Sequence, residues 1–446
     1  MEFRIIMIPR RTCHIGDIKP EMDGSEIVVY GWIHSVRDIG KIKFIVLRDK
    51  TGQIQVIARR NTINEEKFKH ISDLARESIL WINGIVQKSG IAKSGVEIVL
   101  KDYGLISEAK PLPIEIWSPD INTQFAKRIE YRYLDLRRPE IQALFRIRAK
   151  TQSLIRRFLE NQGFTEINTP KIVLMGAESG ADVFEVNYFG KQAYLSQSPQ
   201  LYKQMLMSSG IEKVYEIAAY WRAEKSHTSR HLTEFWMLDV EVSFIDGLND
   251  ILKLLEDMMV YIITRLKEEE CESLRVLNVK LNIPKTPFPR VTIREAYRIL
   301  AENGKILQYG DDLDTEAEEK LGNIFMEKYD SEFVFVLEFP WGKSPFYSMR
   351  KDDEPEWVVG FDLLYKGLEV ASGKQREHRY ERLLQNVNEK NLRIDTLKWY
   401  LESFRYGMPP HGGFGFGIDR FIKQMLNLED IREAILFPRD PERIYP

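Results

Sequence analysis

The first quarter of the chain alternates apolar and polar residues with a period of two. Five segments rich in β-branched and aromatic residues are separated by turn sequences such as DKTG, and a helical segment, EEKFKHISDLARES, follows the third. This is the order of an OB-fold barrel, whose open face binds nucleic acid. The pattern predicts a five-stranded β-barrel over residues 1–105, although another small barrel would fit the alternation equally.

Beyond residue 105 the pattern changes twice. Residues 106–138 begin with KPLPIEIWSP and continue as a basic and aromatic stretch, which predicts a linker or hinge. From residue 139, PEIQALFRIRAKTQSLIRRFLENQGF has helical periodicity, and helices then alternate with strands. We predict an α+β domain over residues 139–446, with residues 276–340 as an insertion.

Composition narrows the class of protein. The 446 residues are 43% hydrophobic and 29% charged, as in soluble globular proteins of two or three domains. We find no apolar run of the roughly 18 residues that a membrane span needs, and no secretory signal pattern. Two cysteines, Cys13 and Cys271, lie far apart, which argues against a disulfide scaffold or a zinc ribbon. We expect a cytoplasmic protein that does not bind a membrane.

The net charge of −3 is unevenly distributed. Residues 1–105 carry 17 Lys and Arg against 13 Asp and Glu, so the excess of acids lies in the rest of the chain. A basic module on an acidic body suggests a polyanionic partner. On charge alone, however, an ordinary solvated surface is the preferred interpretation.

The first candidate for chemistry is YEIAAYWRAEKSHTSRHLTEFWMLDVEVSF, residues 215–244, which predicts two strands joined by a polar loop. Arg222 could bind a phosphate with two N–H groups, Glu224 could accept an exocyclic amine, and Phe235 could stack on a base. A charged hairpin tip without such a role is the commoner outcome for a single loop of this kind.

The second candidate is MPPHGGFGFGIDRFIKQML, which predicts a glycine-rich strand followed by an amphipathic helix. Without Cβ atoms, the glycines would let a flat ligand lie against the backbone, next to Arg420 in the first helical turn. The spacing is not that of a dinucleotide-binding G-x-G-x-x-G motif. Such a strand by itself is more often a packing device.

Two further segments carry polar residues. In FDLLYKGLEVASGKQREHRY, Glu369 and Ser372 lie three residues apart and could share a metal ion with a triphosphate, and Arg376 follows. AYLSQSPQLYKQML predicts a strand that leads into a helix with Gln200 and Lys203. A lone acid or lysine in such a segment is usually a solvated surface residue.

Four segments together resemble class II aminoacyl-tRNA synthetases of the aspartate–asparagine–lysine subgroup, with the greatest similarity to archaeal-type aspartyl enzymes. They are the long helix that ends in TEINTP with Pro170, the RAE…RHLTEF loop, the G-x-G-x-x-R segment from Gly415 to Arg420, and the barrel. The resemblance covers nearly the whole chain. It implies an anticodon-binding barrel, an antiparallel catalytic sheet flanked by helices, and a homodimer.

The resemblance also implies activation of L-aspartate by ATP with Mg²⁺, and transfer to the 3′-terminal adenosine of tRNA-Asp, with tRNA-Asn as a further candidate. The residues implied for aspartate are Glu178, Gln200, Lys203, Arg222, Asp239, Ser372 and Arg376. Those implied for ATP are Arg222, Glu224, Arg230, His231, Phe235, Glu369, Gly417 and Arg420, with Glu369 and Ser372 on Mg²⁺ and with Arg222 and Arg420 as the catalytic residues.

Lys203 and Arg376 decide the expected amino acid. Two cationic donors suit the side-chain carboxylate of aspartate, whereas asparagine would leave them facing an amide in a desolvated site. Their other possible role is an ion pair with a nearby acid inside the protein.

In the barrel, the resemblance implies that the anticodon contacts Arg37, Phe44, Gln55, His34 and Lys93. Phe44 could instead belong to the barrel core. In archaeal enzymes of this type, a histidine at the position of His34 accompanies charging of both tRNA-Asp and tRNA-Asn, and a lysine at the position of Lys93 accompanies strict use of tRNA-Asp. The two signals conflict in this sequence.

Three positions depart from the family pattern, namely Trp221, Ser179 and Lys374, and the last adds a positive charge near the expected pocket. The nearest alternative function is that of an asparaginyl-tRNA synthetase. An amide-forming paralogue would lack the barrel. A catalytically silent OB-fold nucleic-acid-binding paralogue would be expected to lose residues such as Arg222 or Arg420, and both are present.

Overall fold

The computed structural model describes residues 8–92, 94–117, 122–174, 182–224 and 230–445. The chain divides into two compact units, Met1–Glu115 and Ile116–Pro446. The stretch predicted as a linker is therefore divided between them. Its second half belongs to the second unit because Arg132, which is fully buried, donates hydrogen bonds to the carbonyl oxygens of Glu433 and Ile435.

The described part of the first unit contains the predicted five-stranded barrel, which is closed in the order β1-β2-β3-β5-β4. Its strands are β1 Glu26–Asp38, β2 Ile42–Asp49, β3 Gly52–Arg59, β4 Ile79–Lys88 and β5 Val96–Ser107, and helix α1, Glu65–His70, lies between β3 and β4. The alternation seen in the sequence places Ile45 and Leu47 in the core, whereas Phe44 and Val46 point to the other face of β2 and are only partly buried. The prediction of an OB-type barrel is confirmed.

The second unit contains two further sheets. Their strands are β6 Thr165–Glu166, β7 Ile172–Val173, β8 Glu185–Tyr188, β9 Lys191–Leu195, β10 Lys213–Trp221, β11 Glu234–Ser243, β12 Arg290–Thr292, β13 Phe333–Pro340, β14 Trp357–Tyr365, β15 Leu368–Gln375 and β16 His411–Gly417. Among the described residues, the main sheet has eight strands in the order β12-β13-β14-β15-β16-β11-β10-β6, and β7-β9-β8 form a small one. The strands from β13 to β10 pair antiparallel, whereas the short edge strands β12 and β6 pair parallel. The predicted α+β architecture is confirmed.

The helices of the second unit are α2 Phe125–Glu130, α3 Arg132–Asp135, α4 Pro139–Asn161, α5 Gln200–Met207, α6 Leu248–Glu269, α7 Cys271–Val276, α8 Ile293–Glu302, α9 Thr315–Tyr329, α10 Tyr380–Glu389, α11 Ile394–Leu401 and α12 Ile418–Met425. Helix α4 begins with Pro139, whose missing N–H costs nothing in the first turn, and Gly163 follows its end in a left-handed conformation.

The long helices α4 and α6 cover one face of the main sheet. Ile147 of α4 and Leu255 of α6 belong to the same buried cluster as Leu238 and Val240 of β11 and Phe414 of β16. Because side chains alternate along a strand, the residues between these apolar ones point to the opposite face. That opposite face is left available for polar side chains.

The stretch predicted as an insertion, residues 276–340, is integrated into this sheet. Strand β13 lies between β12 and β14 in the sheet, and Phe333, Val334, Phe335 and Val336 are all buried. A continuous apolar run of this kind is typical of a strand that is covered on both faces. The prediction from the sequence instead assigns it to an insertion. Helices α8 and α9 pack next to it in a separate apolar cluster.

A buried ion pair joins three elements of the second unit. Asp419, at the start of α12, pairs with Arg148 of α4 and accepts a hydrogen bond from the Trp236 backbone N–H of β11 at 2.8 Å. Burial raises the pKa of Asp419, against the effect of Arg148. The arginine therefore compensates a carboxylate that would otherwise be costly to bury.

No helix within the described ranges combines the length and the apolar character that crossing a membrane requires.

Replacing Arg148 by methionine should lower the free energy of unfolding by about 3 kcal/mol, because it leaves the buried Asp419 carboxylate without a counter-charge. Urea unfolding followed by tryptophan fluorescence would measure the change. Arg275→Met is the control, since the Arg275–Glu272 pair is exposed and its loss should leave the midpoint unchanged. Equal midpoints for the two variants would contradict the role of the buried pair.

Candidate functional site

The polar face of the main sheet is organised by strand register. Two rows of cross-strand neighbours point away from α4 and α6: Gly360, Lys374, Gly413 and Glu241 form one row, and Asp362, Ser372, Gly415 and Asp239 form the next. Each row runs across β14, β15, β16 and β11. Residues more than 170 positions apart in the sequence thus face the same space, as Gly415 and Asp239 do.

A cavity of about 620 Å³ lies over this face. Most of the residues implied for aspartate and ATP line it, namely Gln200, Arg222, Glu224, Arg230, His231, Phe235, Asp239, Glu369, Ser372, Arg376, Gly417 and Arg420. Lys203 is buried behind the wall of the cavity, and Glu178 lies outside the described residues.

Lys203 and Arg376 converge on one buried acid, Glu241. Arg376 donates from Nε and Nη2 to the two carboxylate oxygens of Glu241 at 3.0 and 3.2 Å, and Lys203 Nζ lies 3.3 Å from Oε2 of the same carboxylate. Lys203 also donates to Asp239 Oδ1 at 2.9 Å. The two cations, 173 positions apart in the sequence, therefore share one site, and each has an acid partner there.

The charges in this group stabilise one another against burial. Burial disfavours the ionised form of Glu241, but Arg376 and Lys203 outweigh it and hold the pKa of Glu241 below its usual value. Burial likewise disfavours the charged form of Arg376, and Glu241 raises the pKa of Arg376 above its usual value. The sequence did not single out Glu241. Its signal was the alternation LDVEV, in which Asp239 and Glu241 occupy every second position of a strand that is otherwise apolar.

The opposite end of the cavity carries the residues implied for ATP. Arg420 Nη1 lies 3.3 Å from Glu369 Oε2, and Arg420 Nη2 lies 3.3 Å from His231 Nε2. The guanidinium of Arg222 lies over the Phe235 ring, 5.3 Å from its centroid. Burial lowers the pKa of His231. The charge of Arg420 lowers it further, whereas the charge of Glu224 acts in the opposite direction. Burial opposes ionisation of Glu369 as well, yet Arg420 and Arg222 keep its pKa below the usual value.

Arg230 lines the cavity, but its two Nη groups are directed at α9. They donate to the Thr315 hydroxyl and to Glu318. Burial, followed by the charge of Glu369, raises the pKa of Glu318 to about 7. Binding of ATP by Arg230, as implied by the resemblance, would require these contacts with α9 to be exchanged or shared. Glu318 is a second residue that sequence analysis did not single out.

The glycines of β16 have two different roles. A Cβ at Gly413 would lie 2.0 Å from the Val240 carbonyl oxygen and 2.4 Å from Glu241 Oε2, so this glycine makes room for the buried acid. Gly415 and Gly417 line the cavity, where a Cβ at Gly417 would meet only the Arg420 side chain, at 3.6 Å or more. The sequence left packing and ligand access as alternative roles for these glycines. In the structure Gly413 serves packing, whereas Gly415 and Gly417 face the cavity.

In the barrel, the residues implied for the anticodon lie on neighbouring strands. Arg37 is the cross-strand partner of Phe44, and Gln55 is that of Val46, two positions further along β2. His34 lies at the irregularity that interrupts the register of β1 and β2. Phe44 is not part of the barrel core. Lys93 lies outside the described residues. Whether these residues contact an anticodon stays a prediction.

The chain is similar to known proteins along almost its full length. Residues 124–441 match the class II tRNA synthetases for D, K and N, and residues 27–106 match the OB-fold nucleic acid binding domain. An aspartate–tRNA(Asp) ligase of Pyrococcus furiosus is 42% identical, over 98% of this chain and 100% of its own. An aspartate–tRNA(Asp/Asn) ligase of Aeropyrum pernix is 44% identical, over 96% of this chain and 97% of its own.

Solved structures show the same similarity. An asparaginyl-tRNA synthetase from Pyrococcus horikoshii, complexed with asparaginyl-adenylate, superposes with a TM-score of 0.91 at 33% identity and covers 98% of this chain and 100% of that one. An aspartyl tRNA synthetase from Entamoeba histolytica superposes with a TM-score of 0.86 at 32% identity and covers 96% of this chain and 91% of that one. Since these matches include the barrel, the sheet and the strands around the cavity, the chain belongs to the class II aminoacyl-tRNA synthetases of the aspartate, lysine and asparagine group.

Proposed function

We propose that this protein activates L-aspartate with ATP to aspartyl-adenylate and transfers the aspartyl group to the 3′-terminal adenosine of tRNA-Asp. The observation that carries the proposal is the convergence of Lys203 and Arg376 on Glu241, at one end of the cavity whose other end holds Arg222, Glu369 and Arg420. Relatives named for aspartate at 42–44% identity support it.

The donor arrangement of Arg376 favours a carboxylate as the ligand. A guanidinium has five N–H groups, and the two bonds to Glu241 use only Nε and one N–H of Nη2. Arg376 lines the cavity, so its remaining donors are available to a substrate. A carboxylate would accept charge-assisted hydrogen bonds there with both oxygens. The side-chain amide of asparagine has one oxygen that could accept, but its NH₂ group would face the N–H groups of Arg376. Asp239, which also lines the cavity, would bind the α-ammonium group, together with Gln200.

The remaining residues suit adenylate formation. The α-carboxylate of aspartate attacks the α-phosphate of ATP, and negative charge moves onto the pyrophosphate that leaves. Contacts with Phe235, Glu369 and His231 hold Arg222 and Arg420 in place. Preorganised cations of this kind stabilise the developing charge without reorganising during the reaction. This is the basis for assigning them the catalytic role, and Glu224 and Phe235 would contact the adenine.

Mg²⁺ is part of the proposal, and the residues present fit it. A hard divalent ion prefers oxygen ligands, and Glu369 and Ser372 both line the cavity. The lowered pKa of Glu369 keeps its carboxylate ionised near neutral pH. Asp362, the cross-strand partner of Ser372, adds a further oxygen donor beside them. A bound ion would screen the charge of the leaving pyrophosphate.

Three further parts of the proposal concern partners. We infer that the outer residues of β1, β2 and β3 bind the anticodon of the tRNA. We also infer a homodimer, which is supported by exposed apolar side chains after α4, where Ile172 is 44% and Leu174 67% exposed. We place the reaction in the cytoplasm, in agreement with Cys13 and Cys271, which form no disulfide.

ATP–pyrophosphate exchange with each amino acid tests the substrate. The purified protein should catalyse exchange with aspartate and not with asparagine, and Arg376→Met should reduce the aspartate-dependent rate by about 100-fold, because a charged partner of the carboxylate is lost. Arg275→Met, at an exposed position, is the matched control. ATP binding by calorimetry shows whether the Arg376 variant remains folded. Exchange driven by asparagine alone would refute the aspartate assignment.

Phe44→Ala tests the barrel. Loss of a stacking platform for an unpaired base should weaken tRNA-Asp binding about tenfold or more, and should leave ATP–pyrophosphate exchange unchanged because that reaction needs no tRNA. Filter binding at two salt concentrations would measure both the loss and the salt dependence that phosphate contacts produce. Tyr406→Ala, an exposed aromatic residue of the second unit, is the control. Wild-type affinity for the Phe44 variant would remove this residue from the tRNA site.

His34 tests the choice of tRNA. We propose the relaxed alternative, which relatives named for both tRNA-Asp and tRNA-Asn at 43–44% identity support. We therefore expect the wild-type protein to aminoacylate both purified tRNA-Asp and purified tRNA-Asn. His34→Trp should reduce charging of tRNA-Asn more than that of tRNA-Asp, because a larger ring without the imidazole hydrogen-bonding groups would replace it. Strict charging of tRNA-Asp by the wild type would contradict this expectation.

A further inference from the structure

Lys374 is a charged residue of the polar face to which the proposed function assigns no role. The lysine lies on β15, two residues after Ser372 and on the same face, opposite Gly360 on β14. A Cβ at Gly360 would lie 2.8 Å from Lys374 Cγ, so the absence of a side chain at residue 360 gives the lysine its space. Lys374 also lines the cavity beside Glu369.

The lysine side chain is directed away from the aspartate end of the cavity. Its Nζ lies 5.8 Å from the centroid of the Phe339 ring on β13, beyond Gly360. Lys374 lies instead beside Asp312, Asp362 and Glu369. Burial disfavours the ionised form of each of these acids, and the charge of Lys374 opposes that effect, although the pKa of Asp312 and that of Asp362 stay above their usual values.

These acids surround a recess of about 230 Å³ next to the main cavity. Asp312, Glu318, Asp362 and Glu369 line it together with Ser372, Lys343 and Lys374. Arg230 pairs with Glu318 and Arg420 with Glu369, so two of the four acids have an arginine partner. Lys343 and Lys374 are the lysines of this lining, and they place positive charge in the recess with Asp312 and Asp362. A divalent cation bound there would supply charge of the same sign.

We propose that Lys374 is a resident cation of this recess. Its ammonium group supplies part of the positive charge that divalent cations bound to the Asp362 and Glu369 carboxylates beside ATP would otherwise supply. The proposal rests on the proposed function only in that ATP and Mg²⁺ occupy the main cavity. Lys374 is a positioning residue, because it acts on the carboxylates that would hold the metal and does not itself contact the reacting atoms.

We expect the charge of the Lys374 side chain, rather than its volume, to determine how tightly a divalent cation binds. Removing the ammonium group leaves the acids with less counter-charge, so a divalent cation should bind more tightly in its place. Lys374→Met removes the charge and keeps most of the side-chain length, Lys374→Arg keeps the charge, and Lys374→Gly removes the whole side chain. Lys398→Met, at an exposed position of α11, is the control for net charge.

Mn²⁺ binding, measured by electron paramagnetic resonance with a non-hydrolysable ATP analogue and without amino acid, gives the first test. We expect Lys374→Met and Lys374→Gly to bind Mn²⁺ about tenfold more tightly at the weakest site, or to bind one further ion, because a nearby positive charge has been removed. Lys374→Arg and Lys398→Met should follow the wild type. Identical Mn²⁺ isotherms for all five proteins would overturn the proposal.

The Mg²⁺ dependence of exchange gives a second readout. The rate for Lys374→Met should rise more steeply with Mg²⁺ concentration than that for the wild type, since an additional ion must replace the lysine. Unchanged curves together with unchanged Mn²⁺ binding would assign Lys374 to packing against Phe339. Absence of aspartate-dependent exchange in the wild type would refute the proposed function, whereas the Mn²⁺ comparison would still decide the role of Lys374.

Discussion

The ion pairing of the buried Glu241 carboxylate with a lysine and an arginine is the interaction on which one end of the cavity depends. The carboxylate lies 3.0 Å from Arg376 Nε and 3.3 Å from Lys203 Nζ, and no part of the residue is exposed. A buried cation without a counter-charge would be unstable, so the acid allows two cations to remain charged beside a cavity. The acid also fixes the guanidinium plane, and thereby the direction of the donors left for a ligand.

The backbone around this group is adapted to it. Gly413 has no Cβ because Glu241 Oε2 would lie only 2.4 Å from one. The same strand ends in Gly417, from which α12 begins, and Asp419 in the first turn of that helix is held by Arg148 of α4 and by the β11 backbone. The strand that makes room for Glu241 is therefore anchored by a second buried ion pair, and α12 in turn presents Arg420 to Glu369 and His231.

The two ends of the polar face differ in the charged groups that they carry. At one end two cations, Lys203 and Arg376, share Glu241. At the other end several acids surround Glu369. Lys374 lies in the same row as Glu241, but its ammonium group lies near the Phe339 ring, on the side where the acids are. Lys374 thus adds positive charge on the side of the row where the acids lie, and the Lys203–Glu241–Arg376 group lies elsewhere in the cavity wall.

The sequence by itself determined the barrel, the α+β class and most of the residues around the cavity. Alternation in β1 to β5 and helical spacing in α4 are local properties, and local properties can be read from the order of residues. Resemblance to a known family supplied the roles expected of Arg222, Glu369 and Arg420. Only the tertiary structure decided which charges share a site, because strand register, and not sequence distance, determines neighbours across a sheet. The surroundings of Glu241 and the orientation of Lys374 depend on β14, β15, β16 and β11 lying side by side. Those of Glu318 depend on α9 packing against β15, where Glu318 accepts a hydrogen bond from the Glu369 backbone N–H. The membership of β13 in the sheet depends on pairing with strands that are distant in sequence.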